Sequence, residues 1–468
     1  MRLTFMSASF LIALLVLPMN AQKPNRENVV KNELLVKFIG GTASNSALAA
    51  NRAMNADVLE TLGDLGWQRV RLPESLSVDD AISQYSKLDG VEHVQPNFYY
   101  QLQLTPNDAM FGSLWGMTKI SAPAAWDITT GSSSVVVANI DTGMRLTHQD
   151  LAANIWTNPG EIAGNSVDDD GNGFVDDVNG WDFFFSNTDP PDADPTDEHG
   201  HGTHTSGTIG AVGNNLLGVA GVTWNVRIMT IKIYSASGTD TTSAMLINAY
   251  NYIRLMKERG VNIRVTNNSY GGCNEACGYD QATKDALDAM GNAGILNVFA
   301  AGNSGTNNDT TPFYPASYTS PSVLSVGGTN QTDDRVFNFG ANSVDLAAPA
   351  IGVLSTTFAS DTSYGNSSGT SMATPHVAGA AALLSALNPN LSVASLKASL
   401  MNGVDAVAAL NGMNKTGGRL NVDRALRNQT VCTFPTAMTV PTKGGVFTLN
   451  LAPGTNCDYF VRSTSNWI

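Results

Sequence analysis

Short apolar runs alternate with longer amphipathic segments over most of this 468-residue chain. From about residue 106 to residue 426 the runs have the β-branched character of buried strands, and the segments between them carry the three-to-four-residue apolar spacing of helices. Alternating strands and helices predict an α/β fold with a doubly wound, mostly parallel sheet covered on both faces. The predicted strands are Val135–Ile140, Val226–Tyr234, Ile263–Asn267, Ile295–Ala300, Val323–Val326 and Val344–Leu346, and the predicted helices are Thr242–Lys257, Gln281–Asn292 and Met372–Leu387.

A smaller α+β unit precedes this region and a short β segment follows it. The leading pattern is strand, helix, strand, helix, strand, over Glu33–Phe38, Ala47–Leu62, Trp67–Leu72, Val78–Leu88 and Val91–Gln95. Beyond residue 430, an apolar–polar alternation at Val446–Leu451 follows the turn signal Gly444-Gly445, so β structure is expected there too.

The N-terminus has the pattern of a secretory signal peptide. A short start containing Arg2 precedes the apolar run Phe10–Leu17, and a polar stretch begins near Gln22. The run is too short to span a bilayer, and no later segment is apolar enough to do so. We therefore expect residues 1–21 to be a signal peptide cut near Ala21, and the protein to be secreted.

The net charge of the chain limits the classes of partner that it can bind. Acidic residues outnumber basic ones 40 to 26, which gives a net charge of −14. Such a chain has no basic footprint for nucleic acid or an anionic membrane, and it favours cations. The four cysteines form two sequence-local pairs, Cys273 with Cys277 and Cys432 with Cys457. Export permits two disulfides, and free buried thiols are the alternative.

Four short motifs place an acid, an imidazole, an amide and a hydroxyl at the ends of predicted elements. They are Asp141-Thr-Gly, His201-Gly-Thr-His, Ala301-Gly-Asn303 and Gly369-Thr-Ser371-Met-Ala-Thr-Pro. Each motif alone is weak evidence for catalysis, since an Asp-Thr-Gly sequence is often a plain turn and two nearby histidines can bind a metal. Together they supply a nucleophile, its base, the group that orients the base and a donor for an oxyanion.

In this order the motifs resemble those of the subtilisin-like (S8) serine peptidases, over about residues 106–426. The resemblance implies a secreted endopeptidase that works through an acyl-enzyme, with Asp141, His201 and Ser371 as its triad. It also implies that Asn303 and the Ser371 N–H hold the oxyanion. The alternatives are a non-catalytic binding or adhesion protein on the same scaffold and a processing protease with one dedicated partner.

The same resemblance suggests where substrate binds. In this family a segment like Asn268-Ser269-Tyr270-Gly271-Gly272 offers a strand edge to the substrate backbone. Ser269, Tyr270, Gly271 and Gly272 are thus the expected substrate-binding residues. Backbone pairing implies broad sequence tolerance. In the resemblance, Ser304 stands where some members of the family carry an acid, so a preference for basic side chains in the primary pocket is not supported.

An acidic loop predicts a structural calcium ion. Asp168, Asp170, Asn172 and Asp176 fall at the first, third, fifth and ninth positions of a calcium loop, although Asn179 replaces the usual final Glu. By resemblance Asp150 is a second candidate ligand, together with an Asn of Gly213-Asn-Asn215. A solvated acidic loop without metal is the alternative.

The flanking regions resemble parts of the same precursors. Glu33–Phe38 and Gly90–Asn97 are similar to the inhibitory propeptide, which implies a ferredoxin-like unit at residues 30–100 that is cut between Asn97 and Pro106. The peptidase domain is then expected at residues 105–428. Residues 431–468 resemble part of a BACON-type immunoglobulin-like domain. The expected partners are protein and peptide substrates and the chain's own propeptide, and the enzyme is expected to be a monomer.

Overall fold

The computed structural model describes residues 29–99, 104–272 and 279–429. It divides into two compact units, Met1–Leu102 and Gln103–Ile468. The predicted signal peptide, all four cysteines and the C-terminal β segment lie outside the described residues.

The first unit is a four-stranded antiparallel sheet with two helices. Its elements are β1 (Val29–Phe38), α1 (Asn45–Ala53), β2 (Asp57–Leu62), β3 (Trp67–Arg71), α2 (Val78–Tyr85) and β4 (Val91–Phe98). The strand order β2-β3-β1-β4 confirms the predicted ferredoxin-like arrangement. Both helices begin at a serine whose side chain accepts a backbone N–H, and Leu34, Val36 and Tyr85 form part of the core.

The predicted helix Ala47–Leu62 was wrong in its second half. The helix ends at Ala53, and Asn55 then takes a positive φ of 49°, which interrupts the helical path. The chain returns as β2, which pairs along β3 as far as Leu62 opposite Trp67. Pairing with β3 therefore overrides the helical spacing seen in the sequence.

The second unit is built on a sheet whose central strands are all parallel, in the order β12-β10-β9-β8-β5-β7-β6. This confirms the predicted fold class. The strands are β5 (Gly131–Asp141), β6 (Gly180–Asp182), β7 (Asn225–Lys232), β8 (Ile263–Asn268), β9 (Leu296–Ala300), β10 (Val323–Thr329), β11 (Arg335–Val336), β12 (Leu346–Pro349), β13 (Val353–Thr356), β14 (Tyr364–Ser367), β15 (Asp405–Ala406) and β16 (Gly418–Arg419). The helices are α3 (Trp115–Lys119), α4 (Ala122–Trp126), α5 (His201–Gly210), α6 (Ser243–Glu258), α7 (Gln281–Asn292), α8 (Thr370–Leu387), α9 (Val393–Asn402) and α10 (Val422–Arg427).

Alternate residues of β5 face two different cores. Val137 packs in the core that contains α8, whereas Val136, Ala138 and Ile140 pack in the core that contains α6 and α7. Helix α8 contains no acidic or basic side chain apart from one buried histidine, and it lies buried against the sheet along most of its length. The predicted run Val344–Leu346 begins two residues early and overlaps the observed strand only at Leu346, since β12 spans Leu346–Pro349.

Parallel strands place their carboxyl ends at one edge, which is where such sheets hold their chemistry. Asp141 ends β5, and it pairs in register with Lys232 at the end of β7. Of the helices in the described residues, none combines the length and the hydrophobicity that a bilayer crossing needs.

Truncation of Leu383 should destabilise the second unit. Its side chain is completely buried in α8, so Leu383→Ala leaves a cavity and should cost about 2–5 kcal/mol of unfolding free energy. Thermal unfolding of inhibitor-treated protein measures the effect. The matched control is Leu387→Ala in the same helix, where the side chain is 39% exposed and a change within about 0.5 kcal/mol is expected. Equal losses in both variants would contradict the assigned core.

Candidate active site

Asp141 lies buried at the end of β5 and faces α5. Its Oδ1 accepts hydrogen bonds from the Thr142 N–H at 2.8 Å and from His201 Nδ1 at 2.7 Å. Its Oδ2 lies 3.1 Å from the hydroxyl of Thr205. Both carboxylate oxygens are therefore satisfied, as a buried acid requires.

His201 is the first residue of α5 and follows Gly200, which has a φ of 102°. Because Nδ1 donates to Asp141, the other ring nitrogen, Nε2, is left as an acceptor. Burial lowers the pKa of His201, but the charge and hydrogen bond of Asp141, together with the charge of Asp197, outweigh that effect and raise the pKa above its ordinary value. The imidazole is thus held in one tautomer and made more basic.

Asp197 anchors the start of the His201 helix, and the sequence motifs gave no signal for it. Its Oδ1 accepts from the Thr142 hydroxyl and from the N–H groups of His199 and Gly200, at 2.8 to 3.0 Å. Its Oδ2 accepts from the Thr203 N–H at 2.9 Å. A carboxylate at this position satisfies N–H groups that a helix start leaves unpaired.

Ser371 lies in the first turn of α8. Its hydroxyl donates to the backbone oxygen of Ser269 at 3.1 Å, and its own backbone oxygen accepts from the Ser269 hydroxyl at 2.9 Å. The latter bond gives a partner to a carbonyl that would otherwise lack one, because Pro375, four residues on, has no N–H to donate to it. No hydrogen bond joins Ser371 to His201 in the described residues, and such bonds are often long in free enzymes and tighten when substrate binds.

Asn303 lies beyond β9 and is exposed to solvent. Its Oδ1 accepts from the N–H of Thr370 at 2.8 Å and from the Thr370 hydroxyl at 3.0 Å. These bonds fix the amide so that Nδ2 lies beside Gly369, where a Cβ would come within 3.3 Å of it. The nitrogen is thus held as a donor next to the start of the Ser371 helix.

The segment expected to bind substrate leads from β8 toward Ser371. The Tyr270 side chain packs partly into the core, with its hydroxyl 2.7 Å from that of Tyr250. The N–H of Gly272 donates to Tyr314 O at 2.8 Å. Beside the segment lies a cavity of about 470 Å³ with aromatic walls, lined in part by Tyr234, Tyr270, Tyr314 and Tyr318.

The acidic loop brings together only part of the predicted ligand set. Oxygens of Asp168 and Asp170 lie within 4.8 Å of each other and of Glu161, which the loop spacing did not reveal. Asp176 lies outside this group, because its carboxylate accepts from backbone N–H groups of residues 164–166. The side-chain oxygen of Asn172 accepts from the Phe174 N–H.

A second acidic site consists of Asp150 and Asp108. Asp150 is buried and accepts from the Asn215 side chain at 2.8 Å, from the Val219 N–H and from the Tyr364 hydroxyl. Asp108 lies close by, where burial raises its pKa and the charge of Asp150 adds to the rise. Asp108 Oδ1 is buried and has no hydrogen-bond partner in the described residues. Sequence alone could not pair residues so far apart.

Comparisons with known proteins identify the family. The subtilase family profile (Peptidase_S8) matches residues 132–428, and the profile of the fervidolysin N-terminal prodomain matches residues 18–97. Thermitase of Thermoactinomyces vulgaris is 35% identical over 69% of this chain and 99% of its own length. Halolysin of Haloferax mediterranei is 31% identical over 86% of this chain and 71% of its own. A solved structure titled as proteases from Pseudoalteromonas arctica aligns with a TM-score of 0.58 at 27% identity, over 69% of this chain and 99% of that one.

The protein is therefore a serine-type endopeptidase of the subtilisin-like class. The chain belongs to the subtilase family, and its leading unit is of the subtilase prodomain type.

The charge of Asp197 should be visible in the titration of His201. In the enzyme with labelled histidines, NMR of the ring resonances should give His201 a pKa above the ordinary value, and Asp197→Asn should lower it because one of the charges that favour imidazolium is lost. His201→Ala assigns the resonance. His204 and His376, whose burial lowers their pKa values to about 4, should stay neutral across the same range.

Asp334→Asn is the matched control, because that exposed carboxylate is not among the charges that act on His201. In the described residues, the charged and ionisable side chains near His201 include Asp141 on β5, Asp197 and His199 before α5, and His204 on α5. A His201 pKa that is the same in Asp197→Asn and in wild type would refute the electrostatic role.

Proposed function

We propose that the protein is a secreted endopeptidase that cuts protein substrates with Asp141, His201 and Ser371 through an acyl-enzyme. The observation that carries the proposal is the 2.7 Å hydrogen bond between Asp141 and His201 at the start of α5, a helix that packs against α8, where Ser371 lies in the first turn. The group that orients the base, the base and the nucleophile each come from a different element at one edge of the sheet.

The first step is attack on the peptide carbonyl. His201 Nε2 takes the proton of the Ser371 hydroxyl while Oγ bonds to the carbonyl carbon, and Asp141 stabilises the imidazolium that forms. Asn303 Nδ2 and the Ser371 N–H donate to the oxyanion. The carbon–nitrogen bond then breaks as His201 gives its proton to the leaving amine, and a water molecule releases the acyl group by the same proton transfers.

Substrate selection follows from the segment that precedes Ser371. An extended peptide pairs with the backbone of Ser269, Tyr270, Gly271 and Gly272, where a Cβ on Gly271 would meet the Phe313 ring at 2.7 Å. The tyrosine-lined cavity beside it suits an apolar or aromatic side chain of the substrate. Backbone pairing with one selective pocket fits an enzyme of broad specificity.

The leading unit supports synthesis as an inactive precursor. A folded antiparallel unit of the prodomain type precedes the peptidase domain, and the connection between them includes the predicted cleavage region between Asn97 and Pro106. We propose that the enzyme cuts this connection itself, that the released unit inhibits it until degraded, and that both steps occur after export.

Calcium fits two groups of oxygen donors. Glu161, Asp168 and Asp170 form an oxygen cluster, and hydrogen bonds to Asp168, chiefly from the Gly173 N–H, lower its pKa and keep it a carboxylate. At the other site Asp108, whose pKa the charge of Asp150 helps to raise, has a buried Oδ1 without a hydrogen-bond partner in the described residues, and a hard cation would satisfy that oxygen. A bound ion would neutralise the repulsion between these carboxylates and brace the loops that carry them.

Removal of the nucleophile should abolish both peptidase activity and maturation. Ser371→Ala should lower turnover of casein by about 10⁴-fold or more, because neither His201 nor the oxyanion donors can replace the hydroxyl. Mass analysis should find wild type cut between about Asn97 and Pro106 and the variant uncut.

The control is Ser304→Ala, which removes an exposed hydroxyl close to Asn303 and should leave turnover within about twofold. Added wild-type enzyme should be able to cut the Ser371→Ala precursor. Casein hydrolysis by pure Ser371→Ala, or its cutting without added enzyme, would contradict the assignment. A wild type with no activity on any protein would support the binding-protein alternative.

Calcium should stabilise the folded enzyme. A ligand that binds only the native state at a hundredfold excess over its Kd contributes about 2.7 kcal/mol, so chelation should lower the melting temperature and speed autolysis. Asp170→Ala should reduce this calcium response, since Asp170 belongs to the oxygen cluster.

Asp169→Ala is the matched control in the same loop. Its carboxylate accepts from Ile162 and Asn165 and lies outside the cluster, so the variant should keep the calcium response. Identical melting in millimolar calcium and in excess chelator, with no calcium found by elemental analysis, would eliminate the metal from the proposal.

A further inference from the structure

A buried asparagine interrupts the apolar strand that leads to Asp141. Asn139 lies in β5, two residues before Asp141, and is 1% exposed. The alternation of β5 places it on the same face as Asp141, toward α5. Its Nδ2 lies 3.1 Å from the backbone oxygen of Gly202, 3.0 Å from the Thr205 hydroxyl and 2.8 Å from that of Ser206. One side chain of β5 is thus bonded to the first two turns of the His201 helix.

The other end of the Asn139 amide is bonded to the neighbouring strand. Its Oδ1 accepts from Asn267 Nδ2 at 2.8 Å, and Asn139 and Asn267 are register partners in the parallel ladder of β5 and β8. The Gly202 oxygen can only accept, so it fixes the Asn139 amide with Nδ2 toward α5 and Oδ1 toward β8. Asn267 must then present its own nitrogen.

Asn267 passes the connection on to the nucleophile. Its Nδ2 also lies 3.1 Å from the Ser269 hydroxyl, which in turn donates to the backbone oxygen of Ser371. Pro375 leaves that oxygen free to accept. Asn267 Oδ1 is buried and has no hydrogen-bond partner in the described residues. The orientation of the Asn267 amide is therefore set by the two hydrogen bonds of its Nδ2.

A branch of the same network reaches the catalytic acid. The Thr205 hydroxyl, which contacts Asn139, lies 3.1 Å from Asp141 Oδ2. The hydrogen bonds around Asn139 therefore join β5, α5 and α8, which hold Asp141, His201 and Ser371, to β8, which leads into Ser269.

We propose that Asn139 is a positioning residue for the peptidase reaction, which sets the placement of the His201 helix relative to the Ser371 helix through Asn267 and Ser269. It touches neither substrate nor the reacting atoms. The inference rests on the proposed triad, because it concerns the geometry in which that triad works. An apolar residue here would fill the core equally well, as Val137 does on the same face, but it would leave the two helices without this hydrogen-bonded connection.

The test compares Asn139→Leu with wild type on a peptide substrate. A displaced base and nucleophile should lower kcat by about 10- to 100-fold, because small misplacements are costly for chemistry. KM should stay within about twofold, since the strand edge and the cavity that bind substrate are intact. Inactivation by phenylmethylsulfonyl fluoride, which needs the same serine and imidazole, should slow in parallel. Rates are normalised to the concentration of reactive sites.

The matched control is Asn297→Leu. Asn297 is also completely buried in a central parallel strand, but its hydrogen bonds go to Thr266, Ser322 and Ile295, away from the triad. It should lose stability as Asn139→Leu does, yet keep kcat within about twofold. Equal kcat values in the two variants would overturn the proposal and make Asn139 an ordinary core residue.

Thr205→Val keeps the test decisive if Asn139→Leu does not fold. The change preserves shape and removes the hydroxyl between Asn139 and Asp141, so kcat should fall about tenfold with KM unchanged. A wild-type kcat in this variant would refute the connection. Ser371→Ala, assayed alongside, keeps the two hypotheses apart, because activity in that variant would refute the triad itself and not only the role of Asn139.

Discussion

The buried carboxylate of Asp141 is the constraint on which the catalytic half of the molecule depends. An ionised acid with almost no exposure is tolerable only where hydrogen-bond donors surround it. A backbone N–H, a threonine hydroxyl and the His201 ring supply them, and two of the three come from α5. The start of that helix is therefore fixed beside the end of β5. Asp197 completes the junction by bonding to the N–H groups at the helix start and to Thr142 at the strand end.

The sheet delivers the other groups to the same edge because its central strands run in one direction. β8 leads into Ser269, and β9 leads toward Asn303. After β12 the chain forms the strands β13 and β14, and α8 begins directly after them. The side chain of Ser269 binds the Ser371 carbonyl in the first turn of α8, which receives no helical N–H because Pro375 stands four residues further on. Residues distant in sequence thus meet with few degrees of freedom, which is what a catalytic arrangement requires.

The sequence located the residues whose motifs are local and missed those that act across the fold. Asp141, His201, Asn303 and Ser371 each stand in a short motif, and the strand and helix patterns between them were enough to predict the sheet. The apolar spacing of β2 fits both a helix and a strand, and only pairing with β3 decides between them. Glu161 and Asp108 were missed, since each joins its acidic neighbours through a turn or a distant loop. Asn139 carries no signal in the sequence, because its partners lie on other elements.

Stability and geometry are supplied by different parts of the same core. Leu383, Val377 and the alanines of α8 bury apolar surface and hold the helix against the sheet, but such contacts tolerate small shifts. The network around Asn139 contributes less to the free energy of unfolding, since buried polar groups exchange hydrogen bonds with water for hydrogen bonds with protein at little net gain. In addition, Asn267 Oδ1 has no partner among the described residues. The hydrogen bonds of the network are directional, however, and each fixes an atom to within a few tenths of an ångström. A core made only of apolar residues would keep the elements together, whereas a core with this polar strip also holds the His201 and Ser371 helices at one spacing.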